Sequence, residues 1–325
     1  MKTLIKNHFL FFRDRIKNSR HQPSMLFLFN QHNEEYGRGI GYGRSRKSYQ
    51  RYVTVYQHLQ KFLKNNHKEQ ILVSDVSTSL IRDFEYYLRV EAGLKNNTVW
   101  VYMIAFKHVL SLSLASAGLA TNPFAGFRNR FEQTERGYLT EEELQALMQL
   151  PLEPGTRRLV RDLFVFAAFT GLSYADVRAL RWESVRKLFD GNTWIVIRRT
   201  KTHTPSSVLL LDIPLQIIEM HGHRDADRVF RIPSNNCCNE HLVMLGETCG
   251  ITTRLTFHIA RHTFATLSLS KGVPIETISS VLGHTSIRTT QIYAKITNRK
   301  ISEDMTQLAG RLDHIRLPCE FFNNI

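Results

Sequence analysis

Apolar residues at helical spacing dominate the first third of the chain and constrain its fold most. Residues 79–93 and 96–118 each carry apolar residues three or four apart and end at a glycine. Residues 48–65 show the same pattern, which places their apolar side chains on one face of an amphipathic helix. We therefore predict a compact unit of three or four helices with lysine and arginine on its exposed faces. The apolar positions of residues 48–65 are Tyr52, Val55, Tyr56, Leu59, Phe62 and Leu63.

A different pattern follows the charged stretch GFRNRFEQTERG at residues 126–137. Thr140 and Glu143 have the spacing of a capping box at a helix start, and residues 157–171 form an apolar helical segment. Residues 194–213, WIVIRRTKTHTPSSVLLLDI, predict two strands around a polar turn. The predicted fold is mainly α with a small antiparallel β-sheet.

Four segments follow from these patterns. Residues 1–46 are predicted to be an irregular basic leader, and its end, YGRGIGYGRSRK, a flexible linker. Residues 47–131 form the helical domain and residues 132–311 the second domain. Residues 312–325 form a C-terminal tail, whose apolar residues dock on a neighbouring copy or remain solvated.

The charge predicts the partner class. The chain has 43 Lys+Arg against 29 Asp+Glu, for a net charge of +14. Such a surface suits a polyanion, most often nucleic acid. An anionic membrane surface is the competing partner, but we find no apolar run near 18 residues and expect no membrane.

Cysteine and histidine spacing indicates a cytoplasmic protein without a metal. Cys237 and Cys238 are adjacent, and the four cysteines form no CxxC pair. His221 and His223 lack a third ligand nearby in sequence, so we expect a solvated loop there. The N-terminal apolar run FLFF is too short for a signal peptide.

Chemistry-bearing residues cluster in three motifs and the hairpin. In TGLSYADV, Ser173 and Asp176 have capping-box spacing. HIARHTFAT and LGHTSIRTTQIYAKI follow, and RTKT lies at the end of the first hairpin strand. Each motif alone has an ordinary structural explanation, but their order along the chain is much more specific. The side chains concerned are Lys201, His258, Arg261, His284 and Tyr293.

Together these motifs resemble those of the tyrosine recombinase (phage-integrase) family, over roughly residues 48–311. The resemblance implies an all-α SAM-like core-binding domain and a catalytic domain that form a C-shaped clamp on double-stranded DNA. It implies an enzyme, a DNA strand transferase that works through a 3′-phosphotyrosine without cofactor or metal, for inversion, integration or excision. Implied partners are an inverted-repeat recombination site and further copies of the chain, a dimer per site and a tetramer in synapsis, associated with the nucleoid.

The resemblance also assigns roles to individual residues. The transition state places charge on phosphate oxygens, which guanidinium groups bind through paired, charge-assisted hydrogen bonds. Asp176 orients its neighbours, and Lys95, Thr98 and Lys107 of the helical domain contact DNA. The remaining roles are Tyr293 as nucleophile, Arg261 as phosphate clamp, His258 as acid/base or phosphate donor, His284 as phosphate ligand and Lys201 as general acid.

Ser173 departs from the family pattern, because most members carry an arginine there. Loss of one transition-state donor costs about 10² to 10³ in rate, so an active enzyme needs a substitute. Arg199 and Lys201 are two apart on one predicted strand and leave the same face, which favours Arg199. Arg198 points to the opposite face, and Arg178 lies about 140° around its helix. The alternative role for Arg199 is a DNA-backbone or carboxylate contact.

Alternatives to a recombinase remain open at this point. A catalytically inactive, sequence-specific DNA-binding relative would explain Ser173 as a lost function. A type IB topoisomerase or telomere resolvase would share the chemistry, although chain length and motif spacing favour a recombinase. The short leader favours an invertase or simple recombinase over a regulated integrase.

Overall fold

The computed structural model describes residues 23–116, 118–119, 122–132, 137–293 and 298–315. The chain divides into two compact units, Met1–Thr134 and Glu135–Ile325. Each unit buries its own apolar residues. The predicted boundary after residue 131 lies close to this division.

Four helices in the described part of the N-terminal unit surround an aromatic core. Phe29, Phe84 and Phe106 are fully buried in that core. A single π-helical turn, Tyr87–Glu91, extends the third helix. The helices are α1 (Met25–Arg38), α2 (Arg46–Asn65), α3 (Thr78–Tyr86) and α4 (Asn96–Ser116).

Helix α1 corrects the prediction that residues 1–46 are irregular. Met25, Leu28 and Phe29 are buried in the core of the unit. Ser24 caps the helix by accepting a hydrogen bond from the Phe27 amide at 3.3 Å. The apolar spacing of this 14-residue helix is present in the sequence. Basic and glycine-rich stretches on both sides of it led to the prediction of an irregular segment. Residues 1–22 of the predicted leader lie outside the described residues.

The glycine-rich stretch before α2 is an ordered turn fixed by side-chain contacts, so the prediction of a flexible linker is wrong. The Arg44 guanidinium donates to the Glu35 carbonyl at 2.7 Å and lies 4.8 Å from the centre of the Tyr36 ring. Gly41 and Gly43 adopt positive φ angles of 89° and 84°, which glycine accepts without steric cost. This turn brings α2 back against α1.

Helix α4 is apolar enough to cross a membrane by length and composition over Asn96–Ala115, contrary to our expectation of no such run. Its apolar residues have a structural explanation. Val99, Phe106 and Val109 are fully buried in the core of the N-terminal unit. The helix therefore has the composition of the central helix of a bundle.

The C-terminal unit packs around α6, which contacts several other helices. Phe164, Phe166 and Phe257 are buried in its core. The helices are α5 (Glu141–Gln149), α6 (Thr156–Thr170), α7 (Tyr174–Ala179), α8 (Asp212–His221), α9 (Asn235–Thr248), α10 (Phe257–Ser270), α11 (Ile275–Leu282), α12 (Arg288–Gln291) and α13 (Asn298–Arg311).

A three-stranded antiparallel sheet confirms the predicted small sheet. Its strands are β1 (Val185–Lys187), β2 (Thr193–Arg198) and β3 (Pro205–Leu209), in that order. Sequence patterning missed β1 because three residues are too few to show an alternation. The strand β2 ends at Arg198, so the prediction that it extends to Lys201 is wrong.

Helix caps decide where the site-bearing helices begin and end. The capping boxes Thr140–Glu143 and Ser173–Asp176 are both present, as predicted. Thr256 occupies the cap position of α10 but makes no side-chain cap. The Asn239 side chain instead accepts from the Phe257 amide at 2.8 Å.

Candidate active site

Arg261 lies at the centre of a polar cluster between the ends of two helices, α6 and α11. Helix α10 carries Arg261, whose Nη1 donates to the Gly171 carbonyl at 2.7 Å. Its Nη2 donates to the Leu282 carbonyl at 2.7 Å and lies 3.0 Å from His284 Nε2. Gly171 is the cap residue that follows α6, and Leu282 is the last residue of α11. The packing of these helix ends therefore fixes the position of the guanidinium.

The environment of Arg261 is strongly basic. Burial lowers the pKa of Arg261 to about 10, and the charge of Arg199 lowers it as well. A hydrogen bond with Tyr293 and the charges of Tyr293 and Asp176 oppose that shift. The guanidinium groups of Arg261 and Arg199 carry two positive charges against the one negative charge of Asp176. This excess of positive charge favours binding of an anion.

His284 is held between Arg261 and α12. It follows Gly283, whose φ of 64° turns the chain at the end of α11. His284 Nδ1 lies 2.8 Å from Thr290 Oγ1. Burial lowers the pKa of His284 to about 4, and the charges of Arg261 and Arg199 contribute.

Asp176 joins the hairpin to the turn at Ser173. Its Oδ2 accepts from Arg199 Nη1 at 2.9 Å and from the Ser173 hydroxyl at 2.6 Å, and its Oδ1 accepts from the Thr200 amide at 2.9 Å. Burial raises the pKa of Asp176, but the hydrogen bonds from Ser173 and Thr200 and the charge of Arg199 outweigh it. The net pKa is below its usual value, so the carboxylate is ionised at neutral pH.

Arg199 reaches the cluster by a different route from the one predicted. It follows the end of β2, and its side chain is only 4% exposed. Nη2 donates to the Val281 carbonyl at 2.6 Å, and the alternative role that we considered, a carboxylate contact, is present with Asp176. Lys201 is exposed in the next turn, so the period-two argument for a shared strand face does not hold.

Tyr293 is already packed inside the unit. Tyr293 is 9% exposed, and the centre of its ring lies 4.9 Å from that of His262. His258, at an exposed position of α10, has its ring centre 4.6 Å from that of His262, and both ring pairs meet edge to face. Helix α12 ends at Gln291, and Tyr293 lies in the turn that follows it.

Sequence reasoning missed His262 and Thr290. His262 lies four residues after His258, and that spacing in a helix places both on one face. Thr290 is fully buried beside His284, and no spacing rule indicates that contact. The helix spacing was the available signal for His262.

The three predicted DNA contacts of the N-terminal unit lie on α4 or just before it. Lys95 is exposed before α4, and Lys107 is exposed on α4 with its Nζ 5.7 Å from the centre of the Phe124 ring. Thr98 and Lys107 are nine residues apart on one helix, which is about 180° of rotation. Contact of these residues with DNA stays a prediction.

His221, considered above as a metal ligand, is part of an ion-pair cluster. Its Nε2 lies 2.7 Å from Asp162 Oδ2, and Arg161 Nε lies 2.7 Å from Asp162 Oδ1. Burial raises the pKa of Asp162, and hydrogen bonds from His221 and Arg161 more than offset it. This cluster ties α8 to α6.

Comparison with known proteins follows the same division of the chain. Residues 24–131 match the phage integrase SAM-like domain, and residues 137–300 match the phage integrase family. The chain belongs to the phage integrase family. The region that matches the phage integrase family, residues 137–300, contains every candidate site residue of the C-terminal unit.

Relatives of this phage integrase family member carry recombinase names. It is 42% identical over 189 residues to tyrosine recombinase XerA of Thermococcus onnurineus, covering 54% of this chain and 64% of that protein. It is 27% identical over 167 residues to the integrase of Escherichia phage P2, covering 51% and 45%. A match to XerA of Saccharolobus solfataricus spans 36% of that relative. The chain thus spans less than two thirds of the length of these relatives.

Solved structures share the fold at low sequence identity. A Tn1549 transposon integrase in complex with a circular intermediate DNA is 14% identical with a TM-score of 0.67, covering 88% of this chain and all of that one. A lambda integrase dimer bound to a core site is 17% identical with a TM-score of 0.66, covering 86% and 81%. These similarities establish the mainly helical fold with its small sheet.

Proposed function

We propose that the protein is a site-specific tyrosine recombinase that cleaves and rejoins double-stranded DNA through a 3′-phosphotyrosine. The observation that carries this proposal is the hydrogen bond between Tyr293 and Arg261, in a partly buried cluster that also holds His284 and Arg199. A tyrosine hydrogen-bonded to an arginine, in a pocket with excess positive charge, suits attack on a phosphodiester.

The proposed reaction balances with the groups at hand. The Tyr293 oxygen attacks phosphorus and the bond from phosphorus to the 5′-oxygen breaks. The tyrosine proton passes to a base and the leaving 5′-oxygen receives a proton from an acid. A 5′-hydroxyl of another strand reverses both steps, so the energy of the broken bond is conserved.

Individual roles follow from position. Arg261 is held by two carbonyls and is the phosphate clamp. His258, exposed beside the edge-to-face ring pair of His262 and Tyr293, is the acid/base group. Lys201, on the exposed turn after Arg199, is the general acid for the leaving oxygen. Asp176 orients the base of that turn through the Thr200 amide.

Arg199 supplies the charge that Ser173 lacks. Its charge acts on both Arg261 and His284, and its Nε is a buried donor without a partner in the described structure. A phosphate oxygen that displaced the atoms covering this donor would satisfy it. Arg199 is therefore the substitute for the arginine that most of the family carries at the Ser173 position.

Double-stranded DNA and further copies of the chain are the proposed partners. The net charge of +14 suits DNA. On α13 and just after it, apolar side chains are exposed at helical spacing, which suits docking on a second copy in a dimer per site and a tetramer in synapsis. We place the protein in the cytoplasm with the nucleoid. The apolar side chains are Met305, Leu308, Leu312 and Ile315.

Covalent trapping tests the function. A bound duplex is first selected from a random-sequence library, and a nick beside the cleavage point then prevents religation. We expect a protein–DNA adduct with the wild type and none with Tyr293→Phe, while both bind the duplex equally. Binding without an adduct in the wild type would establish the inactive DNA-binding relative instead.

Site orientation tests the biological outcome. A plasmid with two target sites in inverted orientation reports inversion, and one with sites in direct orientation reports excision. We expect both products from a simple recombinase without added proteins. Failure of both reactions despite adduct formation would indicate a regulated integrase that needs accessory factors.

A further inference from the structure

Thr290 holds the ring of His284 from the side opposite Arg261. The Thr290 side chain is fully buried on α12, three residues before Tyr293. Its Oγ1 lies 2.8 Å from His284 Nδ1, while His284 Nε2 lies 3.0 Å from Arg261 Nη2. Both ring nitrogens are therefore engaged, each with a different partner.

The chemistry of these partners fixes the proton on the ring. A guanidinium carries only N–H donors, so His284 Nε2 must accept from Arg261 through its lone pair. In a neutral imidazole the proton then lies on Nδ1, and the Nδ1–H donates to Thr290 Oγ1. A doubly protonated ring would place two N–H groups against each other. Burial and the charges of Arg261 and Arg199 lower the pKa of His284 to about 4, in agreement with a neutral ring.

We propose that Thr290 is a positioning residue that holds His284 as the Nδ1–H tautomer, so that Nε2 is an acceptor for Arg261. This inference rests on the proposed function and deepens it. His284 is thereby a third acceptor that orients the Arg261 guanidinium, beside the carbonyls of Gly171 and Leu282.

Thr290→Val tests the contact with little change of shape. The variant removes Oγ1 and leaves the Nδ1–H of His284 buried without an acceptor, which favours the other tautomer or a turned ring. We expect the rate of adduct formation in a single turnover to fall about tenfold, the order of one lost hydrogen bond. We expect the duplex affinity to stay unchanged, because the Thr290 side chain is fully buried and offers no surface to the duplex.

Two further variants separate the hydroxyl from the fold. Thr290→Ser keeps the hydroxyl and retains the wild-type rate. Thr289→Val is the matched control, because Thr289 is the neighbouring threonine on α12 and is exposed. A wild-type rate in Thr290→Val, or an equal loss in Thr289→Val, overturns the proposal.

The tautomer is measured directly on the full chain labelled with ¹⁵N-histidine. His284→Gln identifies the His284 signals among those of the 14 histidines. We expect a protonated Nδ1 and an unprotonated Nε2 in the wild type, and a changed pattern in Thr290→Val. A protonated Nε2 in the wild type overturns the proposal even if Thr290→Val does not fold. A wild type with the expected tautomer but no adduct would refute the proposed function and leave the assignment of Thr290 intact.

Discussion

Ser173 shows how a single residue changes the way this site is built. Its hydroxyl donates to Asp176 Oδ2, and the Asp176 carboxylate also binds Arg199. A short side chain at this position leaves Asp176 free to hold a guanidinium that arrives from the hairpin. The positive charge expected on the turn is thus supplied across the sequence, from 23 residues after Asp176.

At the scale of one residue, Arg199→Lys tests the substitute arginine. Lysine keeps a charge beside Asp176 but loses the paired donors of the guanidinium. We expect adduct formation to fall by about 10² to 10³ with duplex binding retained. Arg198→Lys is the matched control, since Arg198 is the preceding residue and is exposed.

Thermal unfolding of both variants separates lost chemistry from lost fold. If Arg199→Lys cleaves at the wild-type rate while remaining folded, Arg199 has only a structural role with Asp176. Introduction of Ser173→Arg into the Arg199→Lys background then tests whether an arginine at the turn restores cleavage. Loss of the Ser173 cap costs about 1 kcal/mol in that variant.

His284 gives the site a defined pH dependence. Its pKa is lowered to about 4 from 6.5, so below pH 6.5 the unfolded chain takes up a proton that the folded chain does not. The contribution of neutral His284 to the free energy of unfolding is therefore fully present above pH 6.5. It is lost as the pH falls from 6.5 through 4. We expect the free energy of unfolding to depend less on pH between 6.5 and 4 in His284→Gln than in the wild type. His223→Gln, at an exposed position, is the control and keeps the wild-type slope.

At the scale of elements, the end of α11 sets the position of Arg199. Gly283 has a φ of 64°, and a Cβ there would lie 2.8 Å from Arg199 Cγ and 3.1 Å from Nε. We expect Gly283→Ala to cost about 1–2 kcal/mol for its backbone conformation and to displace Arg199 from the site as well. Cleavage should fall far more than stability does.

Gly272→Ala is the matched control for the backbone term. Gly272 has a φ of 85°, and a Cβ there would meet nothing within 4 Å. It carries a similar conformational cost but touches no site residue. Equal loss of cleavage in the two variants would show that helix-end strain alone, without contact to Arg199, accounts for the effect.

At the scale of the whole molecule, two separate cores predict two separable stabilities. Phe106 is fully buried in the N-terminal unit and Phe166 in the C-terminal unit. We expect Phe106→Ala to destabilise its own unit by about 3–5 kcal/mol. Hydrogen exchange should then accelerate in α4 while amides of α6 keep their protection, and Phe166→Ala should give the reverse pattern. Equal acceleration in both units would show that the chain unfolds as one cooperative body.

Much of the architecture was predictable because it depends on local patterns. Apolar spacing predicted α2, α4 and α6, and side-chain chemistry at short range predicted the capping boxes at Thr140 and Ser173. Helix α1 was missed because basic and glycine-rich stretches flank it, and strand β1 was missed because three residues are too few to show an alternation.

The sequence by itself determined which side chains are available for chemistry, since Arg261, His284 and Tyr293 lie in motifs that are recognisable without a structure. Only the tertiary structure decided how they are used. The Arg261 anchor at Gly171 lies 90 residues away in sequence, and the Arg199 anchor at Val281 lies 82 residues away. Such contacts arise from the packing of helix ends against one another, which no local spacing encodes. The same packing buries Thr290 against His284 and so selects the tautomer of that ring.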